Sequence, residues 1–232
     1  MKTIYLHVGL GKTATTFLQT QLAYMSSMRK IIGVKYPIPK NWKINYDNHY
    51  HGNGHDIAIS LNQSKTVNKQ IDALDLYLLP FIKRGKGQNL LISSEDFGTL
   101  EEDKIQVLSN YIKDHDYKLT VIITVRQLIK FAYSFYMQMV ASNGESRTLE
   151  KLKPFEYMSQ PLTVLNNWSF LKKDIRFVST QNTDILKSFF MEIPKSSFES
   201  VGTKIINRSI SNGEYESLLK INTYFENDKK IC

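Results

Sequence analysis

Three groups of residues in this chain could do chemistry. The first is Gly9-Leu10-Gly11-Lys12-Thr13-Ala14-Thr15-Thr16, which follows an alternating apolar run and opens a helical pattern. Two glycines let the backbone approach a ligand closely, N–H groups at a helix start attract an anion, and Lys12 adds a full positive charge. Thr13, Thr15 and Thr16 add hydroxyl donors, so the residue types together describe a phosphate cradle. Against the triphosphate-binding loop G-x-x-x-x-G-K-[ST], aligning Gly11-Lys12-Thr13 with its end puts Leu6 where the first glycine belongs. The loop is shorter, which weakens an ATPase or kinase reading. The second group is Glu95-Asp96, just beyond an apolar run, where a carboxylate can take a proton from a hydroxyl. The third is His49, His51 and His55. Their spacing suggests a metal site, but a zinc site wants a fourth firm ligand, and Gly52, Asn53 and Gly54 read as a flexible, solvated loop. No metal is expected, and His7, inside a strand pattern, reads as a core or near-site histidine.

These groups need a scaffold, and the hydrophobic pattern supplies one. Ile4, Leu6 and Val8 alternate with Tyr5 and His7, and Phe17, Leu18, Leu22 and Met25 follow at helical spacing, giving strand, glycine turn, helix. A second short strand is expected over Ile31 to Tyr36, an irregular segment over Lys40 to His55, and a helix over Asp56 to Ile82. Asn89 to Ser93 reads as a strand, with a helix from near Glu101 to about Asp114. Leu119 to Val125 is almost all β-branched or aliphatic, as for a strand covered on both faces. Leu128, Phe131, Ala132, Phe135 and Met139 then mark one face of a helix. Ser142 to Pro161 reads as irregular, Leu162 to Leu171 as a helix, Ile175 to Val178 as the last strand and Thr183 to Met191 as a helix. Tyr215, Leu218, Leu219 and Phe225 suggest a closing helix. Strands alternating with helices imply an α/β fold with a mostly parallel sheet between helical layers, one domain over residues 1–232. In such sheets ligands bind beyond the carboxyl ends of the strands, where the first two groups fall.

On these residues the chain resembles a family. His7 to Gln19, HVGLGKTATTFLQ, is similar to the 5′-phosphosulfate loop of sulfotransferases that use 3′-phosphoadenosine-5′-phosphosulfate (PAPS), where a strand enters a Lys-Thr-Gly/Ala-Thr-Thr loop. Val125 to Ser134 resembles their second motif, an Arg at a strand end and a Ser eight residues later. The resemblance implies a P-loop-like nucleotide-binding fold, with the 5′-phosphosulfate held by Gly9, Gly11, Lys12, Thr13, Ala14, Thr15 and Thr16 and the 3′-phosphate by Arg126 and Ser134. Weaker echoes at Leu91 to Glu95, Tyr136, Gln138, Trp168 and Asn207-Arg208-Ser209 extend it over most of the chain and imply that Arg208 touches nucleotide or acceptor. The family often has Pro at the position of Leu128 and Gly at that of Ala14. Neither change removes a side-chain ligand, and Ala14 is expected to add only a methyl in a helical first turn.

Sulfuryl transfer is an in-line displacement in which positioning and charge stabilisation dominate. Lys12 is the cation for the leaving phosphate. The resemblance implies no metal, Glu95 as the base, and His55 as a second choice for base or acceptor binding. The expected acceptor is a hydroxyl on a glycan or glycolipid precursor. The loops 37–55 and 142–161 would border it, with Trp42, Tyr46, Tyr50, Phe155 and Tyr157 available to stack on sugars. Two readings from other classes stand beside this one: a small-molecule kinase using ATP and magnesium, and a nucleotide-binding domain without turnover.

Composition narrows the field. The chain has 232 residues, 42% hydrophobic and 22% charged, which fits a globular domain and excludes fibrous and low-complexity classes. Its net charge of +8 points to an anionic partner, yet the Lys and Arg are scattered, so nucleic acid has no local signature behind it. Lys12 and Arg126 account for the specific part of that charge. A lone cysteine, Cys232, excludes an intrachain disulfide and suggests a reducing compartment. No run approaches the ~18 apolar residues of a membrane span. MKTIYLHVG reads as a strand and not as a signal peptide, so a mature chain beginning at Met1, in the cytoplasm where PAPS is made, is expected.

Overall fold

The computed structural model describes residues 1–44, 50–85, 87–149, 151, 154–181, 184–200 and 212–228, without the side chains of 154–159, 212–213 and 224–228. Four parallel strands form the central sheet in the order β3-β1-β4-β5: β1 Lys2–Val8, β3 Leu90–Ser94, β4 Tyr117–Val125 and β5 Ile175–Ser179. Alternation along β1 divides its side chains between two cores. Ile4, Leu6 and Val8 join Leu90, Ile92, Val121 and Ile123 on one face. Helices α2 (His55–Gln63), α3 (Val67–Tyr77), α4 (Leu79–Arg84) and α5 (Glu102–Asp114) cover that face through Ile57, Leu74, Phe81 and Ile105. On the other face Tyr5, Leu91, Ile122 and Val178 pack against α1 (Thr15–Ser27) and α8 (Ile185–Met191) through Leu18, Leu22, Phe189 and Phe190. The sheet therefore lies between two helical layers, the α/β architecture expected from the strand and helix pattern.

Helix α6 (Leu128–Asn143) follows β4 directly, and α7 (Pro154–Trp168) leads through a 3-10 turn, Ser169–Asp174, into β5. Trp168, fully buried, donates its indole N–H to the Phe97 carbonyl at 3.3 Å and ties α7 to the turn beyond β3. The expected closing helix is α9 (Asn212–Asp228). It packs on α6, where the hydroxyls of Tyr136 and Tyr215 lie 2.9 Å apart and the Asn222 amide donates to the Val140 carbonyl at 2.9 Å. Among the described residues no helix is long and apolar enough to cross a membrane.

Several boundaries differ from expectation, each for a local reason. The helix expected over Asp56 to Ile82 is three helices. Ser64 leaves α2 in an extended conformation, Thr66 caps α3 by accepting from Lys69 N–H, and Pro80 sits in the first turn of α4, where a missing N–H costs nothing. The strand expected over Ile31 to Tyr36 stops after two residues, because Gly33 has φ +81°. Ile31–Ile32 (β2) pairs antiparallel with Ser197–Phe198 (β6), and beyond the break Lys35 bonds the edge of β3 through Asn89 and Leu91. The stretch expected to be irregular over Ser142 to Pro161 holds the end of α6 and the first half of α7, so the helix expected from Leu162 starts eight residues earlier.

The order of strands positions the site. The chain runs from β1 to β3 on one side and from β3 across to β4 on the other, so a crevice opens where β1 ends between its two neighbours.

Candidate functional site

Residues 9–16 leave β1 in that crevice, flanked by the ends of β3 and β4. Gly9 donates its N–H to the Ser94 carbonyl at 3.2 Å, and a Cβ on it would lie 2.2 Å from the Thr15 methyl, so only glycine fits there. Gly11 has open space around it, with nothing within 4 Å of where a Cβ would stand. Lys12 and Ala14 are in the left-handed region, φ 64° and 57°, and this double reversal brings the chain into α1 at Thr15. The N–H groups of the first turn of α1 have no intrahelical acceptor, and the N-cap residue, Ala14, makes no side-chain cap. They are the N–H groups that the sequence reading expects to face an anion.

The threonines divide their labour differently from the expectation. Thr13 and Thr15 are buried with their hydroxyls turned inward: both donate to the Leu10 carbonyl, at 2.5 and 3.1 Å. The Thr13 hydroxyl holds the loop closed, and the single Thr15 proton is shared between the Leu10 carbonyl and the Glu95 carboxylate. Thr16, half-buried, keeps the hydroxyl role open. The inward chain continues beneath the loop. Thr13 Oγ1 lies 2.8 Å from Thr124 Oγ1, which lies 3.3 Å from His7 Nε2, and His7 Nδ1 is 2.8 Å from Ser93 Oγ. Since Thr13 spends its proton on Leu10, one ordering satisfies every member. Thr124 donates to Thr13, His7 Nε2–H donates to Thr124, and Ser93 donates to His7 Nδ1. His7 is completely buried, and desolvation pushes its pKa down from 6.5 to about 3, so it is the neutral spacer of this network.

Ala14 corrects a second expectation. Its methyl is not in an ordinary helical turn but on an exposed left-handed residue, a conformation that costs about 1–2 kcal/mol for anything but glycine. Ala14→Gly is accordingly expected to stabilise the protein by about 0.5–1 kcal/mol, after allowing for the added freedom of the unfolded chain. Urea unfolding would show a higher midpoint with an unchanged slope; an unchanged or lower midpoint contradicts the strained backbone.

Charge gathers around the loop from three strand ends. Arg126, at the end of β4, donates from Nη1 to the Lys12 carbonyl at 3.0 Å, bracing the turn. Burial lowers the pKa of Lys12; the Glu95 carboxylate opposes the shift and the Arg126 guanidinium adds to it. Glu95, beyond β3, is raised by burial and by Asp96, and held down by a hydrogen bond with Thr15 and by the charges of Lys12 and His51. Lys12, Glu95 and Arg126 are thus one electrostatic unit. Ser134 lies about two turns along α6 from Arg126, on a half-buried position. Arg208 and His49 lie outside the described residues, as do Tyr46 and the side chains of Phe155 and Tyr157.

Where its glycines suggested flexibility, the segment from His51 to His55 is bonded to its neighbours. Asn53, 3% exposed, accepts the Ser93 N–H at 2.8 Å and donates to the Leu91 and Pro37 carbonyls at 3.1 and 2.9 Å. Gly54 N–H adds a bond to the Ser93 carbonyl at 2.9 Å. Gly52 has φ +88°, and a Cβ there would sit 2.0 Å from the Ser93 carbonyl oxygen, so the loop lies directly against the β3 backbone. Sequence reasoning missed Asn53; the signal was Gly52-Asn53-Gly54 itself, two glycines flanking an amide able to imitate a strand partner. His55 opens α2, and its Nδ1 lies 2.6 Å from Asp96 Oδ2. The His51 ring is 5.6 Å from that of His55.

Beside these histidines is a cavity of about 410 Å³ whose lining includes Trp42, Tyr50, His51, Asn53, His55 and Asp56. Tyr50 is buried and tilted against Trp42 at 4.8 Å, with its hydroxyl donated to the Lys43 carbonyl, so it supports the wall more than it offers a face. A larger hollow of about 750 Å³, lined in part by Lys2, Lys35, Arg84 and Asn89, lies at the amino ends of the strands, away from the loop. Among the described residues no group of three His, Cys, Asp or Glu is arranged to hold a metal ion.

A search with protein-family models finds no match, and a search of curated proteins finds none either. Among solved structures, the tunicamycin resistance protein of Deinococcus radiodurans is 9% identical, with 83% of this chain and 94% of that one covered and a TM-score of 0.42. A structure from the PezAT chromosomal toxin–antitoxin system of Streptococcus pneumoniae is 10% identical, with 98% and 87% covered and a TM-score of 0.37. Similarity this low says nothing about what the chain binds.

Proposed function

We propose that this chain is an enzyme that moves the sulfuryl group of PAPS to a hydroxyl, on a glycan or glycolipid precursor. The observation that carries the proposal is the convergence of Lys12, Glu95 and Arg126 from three neighbouring strand ends on a loop whose helix N-terminus has free N–H donors. The residues present suit a nucleotide with two anionic ends. Open space at Gly11 leaves room for a phosphate or sulfate over the loop, and the first-turn N–H groups with Lys12 and Thr16 would hold it. Arg126 uses one N–H on Lys12 and has four more, which, with Ser134, would take the 3′-phosphate. PAPS supplies an activated sulfuryl group; the protein supplies position and charge. Lys12 meets the charge that grows on the departing phosphate. Glu95 would oppose the effect of burial on the Lys12 charge. The chain would act in the cytoplasm as a single domain.

Isothermal titration with adenosine 3′,5′-bisphosphate, without metal, is the first test. Binding in the micromolar range is expected, and ATP should bind at least about tenfold more weakly because it lacks the 3′-phosphate, a loss of about 1.4 kcal/mol or more. Tight binding of ATP that needs magnesium, with no binding of the bisphosphate, would replace this proposal with the kinase.

A further inference from the structure

We propose that the hollow of about 750 Å³ at the amino ends of the strands is a second anion site, apart from the loop of residues 9–16, and that it takes a saccharide bearing two or more sulfate or phosphate esters. The site stands independently of the sulfuryl-transfer reading. Scattered as they are along the sequence, Lys2, Arg29, Lys35 and Arg84 are gathered there by four different segments: the start of β1, the end of α1, the stretch after β2 and the end of α4. No Asp or Glu is among the lining residues, and among the described residues none of these four cations forms an ion pair. A concavity lined by one sign of charge focuses its field and concentrates the opposite ion.

Backbone bonds hold these cations in place. Lys35 lies along the edge of β3, its N–H donating to the Asn89 carbonyl at 2.9 Å and its carbonyl accepting the Leu91 N–H at 2.8 Å. The Asn89 side chain accepts the Thr3 N–H at 3.0 Å, next to Lys2 in β1. Lys35 Nζ donates to the carbonyl of Arg84 itself at 2.8 Å, so two cations share one corner with no carboxylate between them. Arg84 donates from Nε to the Pro80 carbonyl at 3.2 Å and from Nη1 to the Ile38 carbonyl at 3.1 Å. Two of its five N–H donors are thereby used, and three are left for a ligand. Ser26 Oγ, donating to the Tyr36 carbonyl at 2.7 Å, ties the end of α1 to the same stretch.

Arg29 adds an observation of another kind. Helix α1 closes with the Lys30 N–H on the Met25 carbonyl at 2.8 Å and the Arg29 N–H on the Ser26 carbonyl at 3.1 Å, a pattern that needs a left-handed residue just past the cap. Glycine fills that position at least cost, yet Arg29 holds it with φ 58°. A long cation kept against the preference of its own backbone points to a use for the side chain. The rest of the lining selects the ligand. Ile31, Val34 and Ile38 give apolar surface, and Gln88 and Asn89 give uncharged amides, a combination that suits the C–H face and hydroxyls of a sugar ring. Tyr36, the one aromatic in the lining, is only 1% exposed, so a nucleobase finds no face to stack on. The volume is that of a small-molecule site.

Calorimetric titration of the full chain with two probes tests the site: a heparin-derived tetrasaccharide for the sulfated source and glucose 1,6-bisphosphate for the phosphorylated one. At least one is expected to bind, with Kd of about 10–100 μM, and the tighter of the two identifies the source. In 1H–15N spectra it should shift the amides of Val34, Gln88 and Asn89 and leave those of Gly9 and Gly11 in place. Lys2→Gln and Arg29→Gly should each weaken it by about three- to tenfold, whereas Lys12→Ala, which disarms the loop, should bind it as the unaltered chain does. Urea unfolding separates a ligand role for Arg29 from a structural one: Arg29→Gly should unfold at an equal or higher midpoint while binding the probe less well. A lower midpoint with unchanged binding assigns Arg29 to the helix end and overturns the proposal. Binding of neither probe also overturns it, as does binding lost in Lys12→Ala and kept in Lys2→Gln and Arg29→Gly, which places the probe on the loop. An oligothymidylate that binds as tightly as either saccharide, and through the same residues, overturns the ligand class. None of these outcomes depends on whether the chain binds adenosine 3′,5′-bisphosphate, so the two readings fail separately.

Discussion

Between pH 6.5 and about 3 the stability of this protein is expected to fall by about 1.4 kcal/mol per pH unit on account of His7 alone. The sign follows from the direction of the shift. Burial lowers the folded pKa of His7 to about 3, whereas the unfolded chain titrates near 6.5, so within that window the unfolded state binds a proton that the native state refuses. The stabilisation is full above the unfolded value and is lost as pH falls. Structure explains why the native state refuses: His7 is wedged between Ser93 and Thr124, edge-on to Phe189 at 5.0 Å, with no carboxylate bonded to it among the described residues. Urea unfolding from pH 4 to 7 measures it, with His7→Gln as the control. The variant should be about 2–3 kcal/mol less stable at pH 7, since Ser93 and Thr124 lose well-placed partners. It should lack the slope, so the two curves meet at about pH 4 to 5. Parallel curves would show that His7 takes up its proton in the folded state.

Lys12→Ala is expected to lower sulfuryl transfer by about 10²–10³-fold and to weaken adenosine 3′,5′-bisphosphate binding by about tenfold or more. The substitution is clean in one respect: residue 12 has φ 64°, and Ala bears that conformation no worse than Lys does, so the loop loses a charge and gains no strain. Lys12→Arg should not restore activity, because the guanidinium is bulkier and is already represented at the loop by Arg126. Calorimetry and radiolabelled transfer report the two effects separately. Turnover and affinity both within threefold of the unaltered protein would remove Lys12 from the site.

Much of the scaffold was legible because it depends on local periodicity. β1, β3, β4 and β5, α1, α5 and α6 lie where alternating or helical apolar spacing puts them. What misled were interruptions whose cost depends on surroundings. Ser64-Lys65-Thr66 divides a helical pattern whose apolar spacing runs on past it, and Gly33 ends a strand after two residues. The loop was legible as a composition, Gly, Lys and Thr between a strand and a helix start, because those residue types follow one another directly in the chain. The direction of each hydroxyl was not. Thr13 and Thr15 turn inward only because Leu10 and Thr124 stand ready to receive them, and Thr124 is 111 positions away from Thr13.

The sequence by itself determined an α/β sheet, a turn of glycine, lysine and threonine after its first strand, and cations and carboxylates at the strand ends. These follow from hydrophobic spacing and residue chemistry, which act over a few positions. Only the tertiary structure decided that Asp96 holds His55 across 41 residues, that Asn53 welds a glycine-rich loop to β3, and that Ala14 carries a left-handed backbone. Each of those depends on a distance between segments far apart in the chain. Such a distance is set when the sheet and its two helical layers close, because only then are the buried polar groups of one segment obliged to find partners on another.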